Sequence, residues 1–279
     1  MRAFTSFTAV VVAVLVGLVT VPLLWVSVNV ADEDGYVDLS EQLVTDRALQ
    51  TAFADYLADD FVRRGVLPGR LQDTAGQLMA AAARQATDDP GFVDAWAETQ
   101  RSAHQSAFGD DEGPVTVRIA PLAALVTNRI AGDLPVTLQV PSDLVVPVGT
   151  EADRSKLAWV GRSQTFALLG LMVVLVAAAT SLVVARRRPV ALAGLGLGAL
   201  AVAGGLRLAT EYLAPRLVDR VEGATEFSRT IQSLLISRAA DSLVGWLGWI
   251  AIVGAGAVVV GALARLVTGR SDRLERDAS

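Results

Sequence analysis

The sequence predicts a mainly α membrane protein. Four transmembrane helices carry an extracytoplasmic helical domain with a small two-stranded element. Three observations lead there. Hydrophobic residues make up 52% of the 279 and charged residues only 19%, the apolar residues fall in four long runs, and charge is segregated along the chain. From Ala31 to Val160 there are 21 acidic and 10 basic residues, and from Gly161 to Ser279 there are 8 and 13.

The first span runs from about Phe7 to Val28, within an N-terminal anchor over residues 1–30. A secretory leader normally has an apolar stretch of about 7–15 residues after a basic start. This run is longer, only Arg2 precedes it and no small-x-small site follows, so it is expected to stay as an anchor. Pro22 is placed to kink it near its outer end, where Trp25 suits the interface. The second span covers about Thr165 to Val184, the third Val190 to Leu208 and the fourth Leu243 to Leu263. Each offers the roughly 20 residues that cross about 30 Å of hydrocarbon. Gly194, Gly198 and Gly205 in the third, with Gly245, Gly248, Gly254 and Gly256 in the fourth, are expected to let these two spans pack closely.

Arg186, Arg187 and Arg188 set the orientation. Clustered arginines beside a span stay in the cytoplasm, which places both termini inside and residues 31–160 and 209–241 outside. Arg265, Arg270, Arg273 and Arg276 agree. The expected domains are therefore the anchor (1–30), the outer domain (31–160) and a three-span membrane domain (161–279) ending in a short basic tail.

Within the outer domain, residues 43–65 read as helix, with Leu49, Phe53, Tyr56, Leu57 and Phe61 on one face. A second helical pattern follows over 71–86. Asp88, Asp89 and Pro90 open a third helix that runs to about Phe108. Beyond it, "VTVRI" and "LPVTLQVP" alternate as strand candidates flanking a short helix in "PLAALVTNRI". The stretch from Val145 to Val160 returns the chain to the bilayer. Residues 209–241 carry Leu213, Leu217, Val221, Ala224, Phe227, Ile231 and Leu235 at helical spacing. They read as one or two amphipathic helices that lie on the bilayer or cover the outer domain. Arg216, Arg220, Arg229 and Arg238 there suit acidic side chains or lipid phosphate.

Catalytic signals are weak. There is no cysteine, which excludes disulfide and thiol chemistry. The single histidine, His104, sits on the third helix at the edge of a face formed by Phe92, Trp96, Thr99, Ala103 and Ala107, beside Gln100. Its expected role is to pack its ring and bond a neighbouring helix. No HExxH, GxSxG or nucleotide-binding loop occurs. Asp59 with Asp60, Asp88 with Asp89, and the run Asp110 to Glu112 read as solvated turns or caps. The last run lacks the spacing of a calcium loop. No Asp, Glu or Lys interrupts a span centre, so a pump acting alone is not indicated. No catalytic, cofactor-binding or metal-binding residue is assigned, no cofactor is implied, and no basic patch with interleaved aromatics points to nucleic acid.

Taken together, "WVSVNVADEDGYV", the set Phe92, Trp96, Arg101 and His104, "VTVRIAPLAALV" and the basic cluster after the second span give a resemblance. The chain resembles an uncharacterised family of actinobacterial four-span integral membrane proteins with a large extracytoplasmic helical domain. It departs at Thr99 and Gln100, where an Ala-Asn-like pair is more typical of that family. The resemblance implies an actinobacterial plasma membrane and supplies no substrate.

The expected function is a non-enzymatic envelope protein. It acts as an accessory or scaffold whose partners are membrane lipid and an envelope protein met through residues 31–160. The alternative is a subunit of a transport or envelope-assembly complex. The topology is testable because every introduced cysteine is unique. With Ser102→Cys and Ser271→Cys variants, an impermeant thiol reagent on intact cells should label position 102 and spare position 271. The reverse pattern contradicts the assignment.

Overall fold

A computed structural model describes residues 2–63, 77, 81–82, 84–109, 113–133, 144–148, 157–221 and 225–277. The chain is mostly helical, with four helices long and apolar enough to cross a membrane and one small two-stranded sheet. It divides into two compact units, each assembled from separated stretches. One comprises Met1–Ser27, Arg162–Leu213 and Ala240–Ser279, and the other Val28–Gly161 and Ala214–Ala239.

In the first unit, α1 (Arg2–Asn29) continues through Pro22. The other spans are α6 (Ser163–Val184), α7 (Arg188–Val218) and α8 (Glu226–Asp277); α2–α5 belong to the second unit. The 22 residues of α6 rise about 33 Å, a close match to a hydrocarbon core. Ala185 turns the chain into an extended conformation, and Pro189 falls in the first turn of α7, where its missing N–H is tolerated. At most 28% of the most apolar window of any span is buried against protein. The uncovered side chains, such as Met172, Val176, Ile252 and Val253, are large and apolar.

The third and fourth spans do pack together, through Gly254 of the expected set and through Gly196 and Gly261, which were not in it. A Cβ on Gly196 would lie 2.5 Å from the Gly254 carbonyl oxygen, and one on Gly261 would lie 2.5 Å from the Pro189 oxygen. Gly198 and Gly205 face α1 instead, against Val14 and Leu18, and Gly194 meets Val10. Gly245, Gly248 and Gly256 meet nothing within 4 Å. Spacing alone cannot assign a face when a helix has two neighbours. Polar links join the other spans: Ser6 Oγ lies 3.2 Å from both the Oγ and the carbonyl of Ser181, and Trp25 Nε1 donates to Ser242 Oγ at 3.2 Å.

The second unit begins with a helix that the sequence reading did not assign, α2 (Glu33–Glu41). Its acidic composition conceals it, yet acids suit a helix start. Asp32 Oδ1 accepts from the Gly35 N–H at 3.0 Å, and Glu33 and Asp34 occupy the positive end of the dipole. Gly35 lies against the Val28 carbonyl, where any Cβ would collide. Helix α3 (Arg47–Arg63) therefore starts later than expected, after a turn in which the Asp46 carboxylate accepts from the Ala48 N–H at 2.8 Å. Helix α4 (Gly91–Phe108) agrees with the expected third helix, and Asp89 Oδ1 accepts from the Gly91 N–H at its start. In the second helical pattern the described residues 84–86 are helical.

Strand β1 (Thr116–Arg118) is followed by α5 (Ala120–Asp133) and pairs antiparallel with β2 (Val145–Pro147), Val117 opposite Val146. This partner lies in the stretch expected to lead back to the bilayer. Three residues are too few to show a period, although Val146 is wholly buried. The expected second strand over 134–141 lies outside the described residues, as does the run Asp110 to Glu112.

The segment 209–241 is helical on both sides of residues 219–225, and of the two expected placements the structure gives the one on the domain of residues 31–160, though as the ends of longer helices. It continues α7 to Val218 and re-enters helix at Glu226. Thr225 Oγ1 accepts from the Ser228 N–H at 3.0 Å and so opens α8. Phe227 and Ile231 are buried in the same core as Leu43, Leu49, Phe53 and Trp96, with Leu234 and Leu235 packed against it. The expected domain division grouped 209–241 with the spans, whereas its 214–239 part packs with residues 28–161.

The close crossing of α7 and α8 makes a direct comparison. Gly196→Ala drives a methyl group into backbone and should destabilise the membrane unit by about 1–3 kcal/mol. Gly256→Ala, in open space, should change stability by less than about 0.5 kcal/mol. Unfolding in mixed micelles checks both, and equal losses would contradict the crossing.

Candidate functional site

Helix α4 presents one nearly continuous buried face: Phe92, Trp96, Thr99, Gln100, Ala103 and His104. His104 and Gln100 are thus inside, not on the margin where 100° spacing put them. The cause is α2, which covers that margin. Trp96 Nε1 donates to the Ser40 carbonyl oxygen at 3.0 Å, and Gln105 Nε2 donates to Glu33 Oε2 at 3.2 Å. The His104 ring lies between Tyr36, 5.6 Å away by centroids, and Phe108, 4.6 Å away. Packing is as expected for a frame residue. The expected bond to a neighbouring helix is not made by Nε2, which is buried without a hydrogen-bond partner. A buried ring nitrogen left unpaired costs about 1–3 kcal/mol, so ring packing must offset it. The Tyr36 phenol shares this environment, and burial pushes its pKa from 10.0 up to about 12.

A second feature is a cleft of about 370 Å³ between α3 and the start of α8. Asp55, Tyr56, Asp59 and Arg63 from α3 line it with Glu226 and Phe227 from α8. The Tyr56 and Phe227 rings stack 5.3 Å apart and form its aromatic side. Asp55 and Asp59 are exposed one helical turn apart, like charges that repel slightly. Arg63 pairs with Asp60 at 3.2 Å, and Arg229 pairs with Glu226. The exposed Asp55 and Asp59 beside the half-buried Tyr56 ring make the cleft chemically suited to a cationic group.

The carboxylates singled out from the sequence do not converge. Asp59 is exposed while Asp60 is buried, so the two point to different surroundings. Asp89 serves as a helix-start acceptor, with Asp88 exposed beside it. Among the described residues no three His, Asp or Glu side chains gather closely enough to hold a metal ion. Tyr36 was missed because α2 was missed. The cleft was missed because Tyr56 and Phe227 meet only in the folded chain, although Phe227 stood out in a helical stripe.

No family model matches the chain, and no curated protein or solved structure matches it.

Two outcomes follow from the His104 environment. Below pH 10 folded and unfolded chains both keep the Tyr36 proton, and between pH 10 and about 12 only the unfolded chain gives it up. Stability should therefore fall as pH rises through that window, by on the order of 2–3 kcal/mol. A tyrosinate absorbance titration should show a late step that Tyr36→Phe removes. Separately, His104→Phe keeps a ring and deletes the unpaired nitrogen, so it should match or exceed the parent's stability. His104→Ala should lose about 3 kcal/mol. Loss of stability in the Phe variant equal to that in the Ala variant would show that the imidazole nitrogens carry the fold.

Proposed function

We propose that the chain is a non-enzymatic cell-envelope protein, an accessory or scaffold of the plasma membrane. Both termini are cytoplasmic, and residues 31–160 and 209–241 are presented on the outer side to a protein or lipid partner. The observation that carries this reading is the division of labour between the two units. One exposes large apolar side chains along four span-length helices. The other buries its own aromatic and aliphatic core, as a water-facing domain must. The arginine cluster at 186–188 supports the orientation, and the motif resemblance to actinobacterial four-span proteins supports the envelope setting.

A second reading follows from the acidic, aromatic-walled cleft. In it the chain is a subunit of a transport or envelope-assembly complex whose active site is completed by partner subunits. Purification of the full chain from its native membrane in mild detergent, with identification of stoichiometric partners, separates the two. A scaffold should co-purify with envelope proteins that bind through residues 31–160 and retain any activity of their own without it. Recovery in fixed ratio with a transporter or synthase whose activity disappears without this chain supports the second reading and defeats the first.

A further inference from the structure

Charge pairing differs between the two ends of the membrane unit. Toward the far end of α7, Arg207 Nε donates to Glu211 Oε1 at 2.9 Å. At its start, Arg186, Arg187 and Arg188 are all exposed. None of the three has an ion pair or side-chain hydrogen bond among the described residues. The sequence offers them little to pair with: no Asp or Glu occurs between Asp153 and Glu211, or between Asp241 and Asp272. Three adjacent like charges repel one another, and an external anion relieves that repulsion.

The packing adds two features at this end. Gly261 of α8 lies against Pro189 and Ala193, so α8 passes directly beside the first turn of α7. Arg265, exposed, follows one turn further along α8. The next carboxylate on α8, Asp272, comes eleven positions after Gly261, about 16 Å along the axis at 1.5 Å per residue. The Ser6–Ser181 contact brings the start of α1 to the same end. The second feature is apolar. Val183 is 76% exposed, Leu266 70% and Phe4 75%, each within a few residues of these cations or contacts. A free inorganic ion has no use for such a collar. A molecule with a phosphate above hydrocarbon chains matches both layers.

We propose that the turn between α6 and α7, with the adjoining flank of α8, binds the phosphate headgroup of an anionic phospholipid. The lipid comes from the leaflet that holds this turn, and its acyl chains lie against the exposed apolar residues below. The inference rests on the reading of the four helices as spans and not on which side of the membrane the turn faces.

The test uses the full chain in detergent, with native mass spectrometry and thermal unfolding in the presence of phosphatidylglycerol, phosphatidylcholine or inorganic phosphate. Phosphatidylglycerol should remain bound and raise Tm, phosphatidylcholine should do neither, and inorganic phosphate at equal concentration should not displace the bound lipid. The triple variant Arg186→Gln, Arg187→Gln, Arg188→Gln should lose at least about tenfold in phosphatidylglycerol affinity. The Arg207→Gln variant should keep it. Equal binding of the two lipids, displacement by inorganic phosphate, or undiminished binding by the triple variant each overturns the proposal. If that variant does not fold, the corresponding triple lysine variant replaces it. It should retain the preference for phosphatidylglycerol, and loss of that preference would contradict a charge-based site. Failure of the span reading itself is distinct: the chain would then be released from membranes by alkaline carbonate.

Discussion

Hydrocarbon cannot hydrogen-bond to a backbone, so a chain crossing it must pair every buried N–H and C=O within itself. That constraint explains most of what the membrane unit does. The four helices long and apolar enough to cross are unbroken, and α1 continues through Pro22. The same solvent removes any apolar driving force for the helices to associate, because lipid chains receive leucine as readily as protein does. Close contact must come from shape and from a few polar bonds. Gly196, Gly254 and Gly261 bring the backbones of α7 and α8 together. The Ser6–Ser181 and Trp25–Ser242 bonds link other pairs of spans. Large apolar side chains such as Met172 and Val253 remain exposed.

In the second unit the opposite solvent rule applies, and apolar groups gather inward. Phe53 touches both Phe92 and Phe227, 6.1 and 5.9 Å away by ring centroids. Three elements distant in sequence therefore share one aromatic centre. Burying such rings typically contributes about 1.5–3 kcal/mol each, enough to draw residues 226–239 into this core. The expected covering of this core by the segment 209–241 is thus made by its 227–235 part, through Phe227, Ile231, Leu234 and Leu235.

How much of this was legible depended on the length of the pattern. The four spans were legible because each repeats one property over about 20 residues. Helix α4 was legible through Pro90, its preceding acids and its apolar stripe. Helix α2 and strand β2 were not. Nine residues containing Glu33, Asp34, Gly35 and Asp38 look like a loop until the Asp32 cap and the buried Val37 and Leu39 are placed together. Three residues cannot display alternation at all. The candidate site inherited that gap. His104 was correctly singled out for its ring, but its burial depends on Tyr36 in the missing helix. The cleft depends on Tyr56 meeting Phe227, a contact no local spacing encodes. The glycines illustrate the same limit from another side: small residues announced a close crossing, and only the fold shows which of them make it.

Lipid should cover the membrane unit, while protein covers the core of the other. A photoactivatable carbene reagent dissolved in the bilayer around the reconstituted full chain measures this residue by residue. Modification should concentrate at exposed span positions such as Met172, Val176, Ile252 and Val253. Leu49, Phe53 and Trp96, equally apolar but enclosed by protein, should remain unmodified. Labelling of the two sets to the same extent, or of the enclosed set alone, would contradict it.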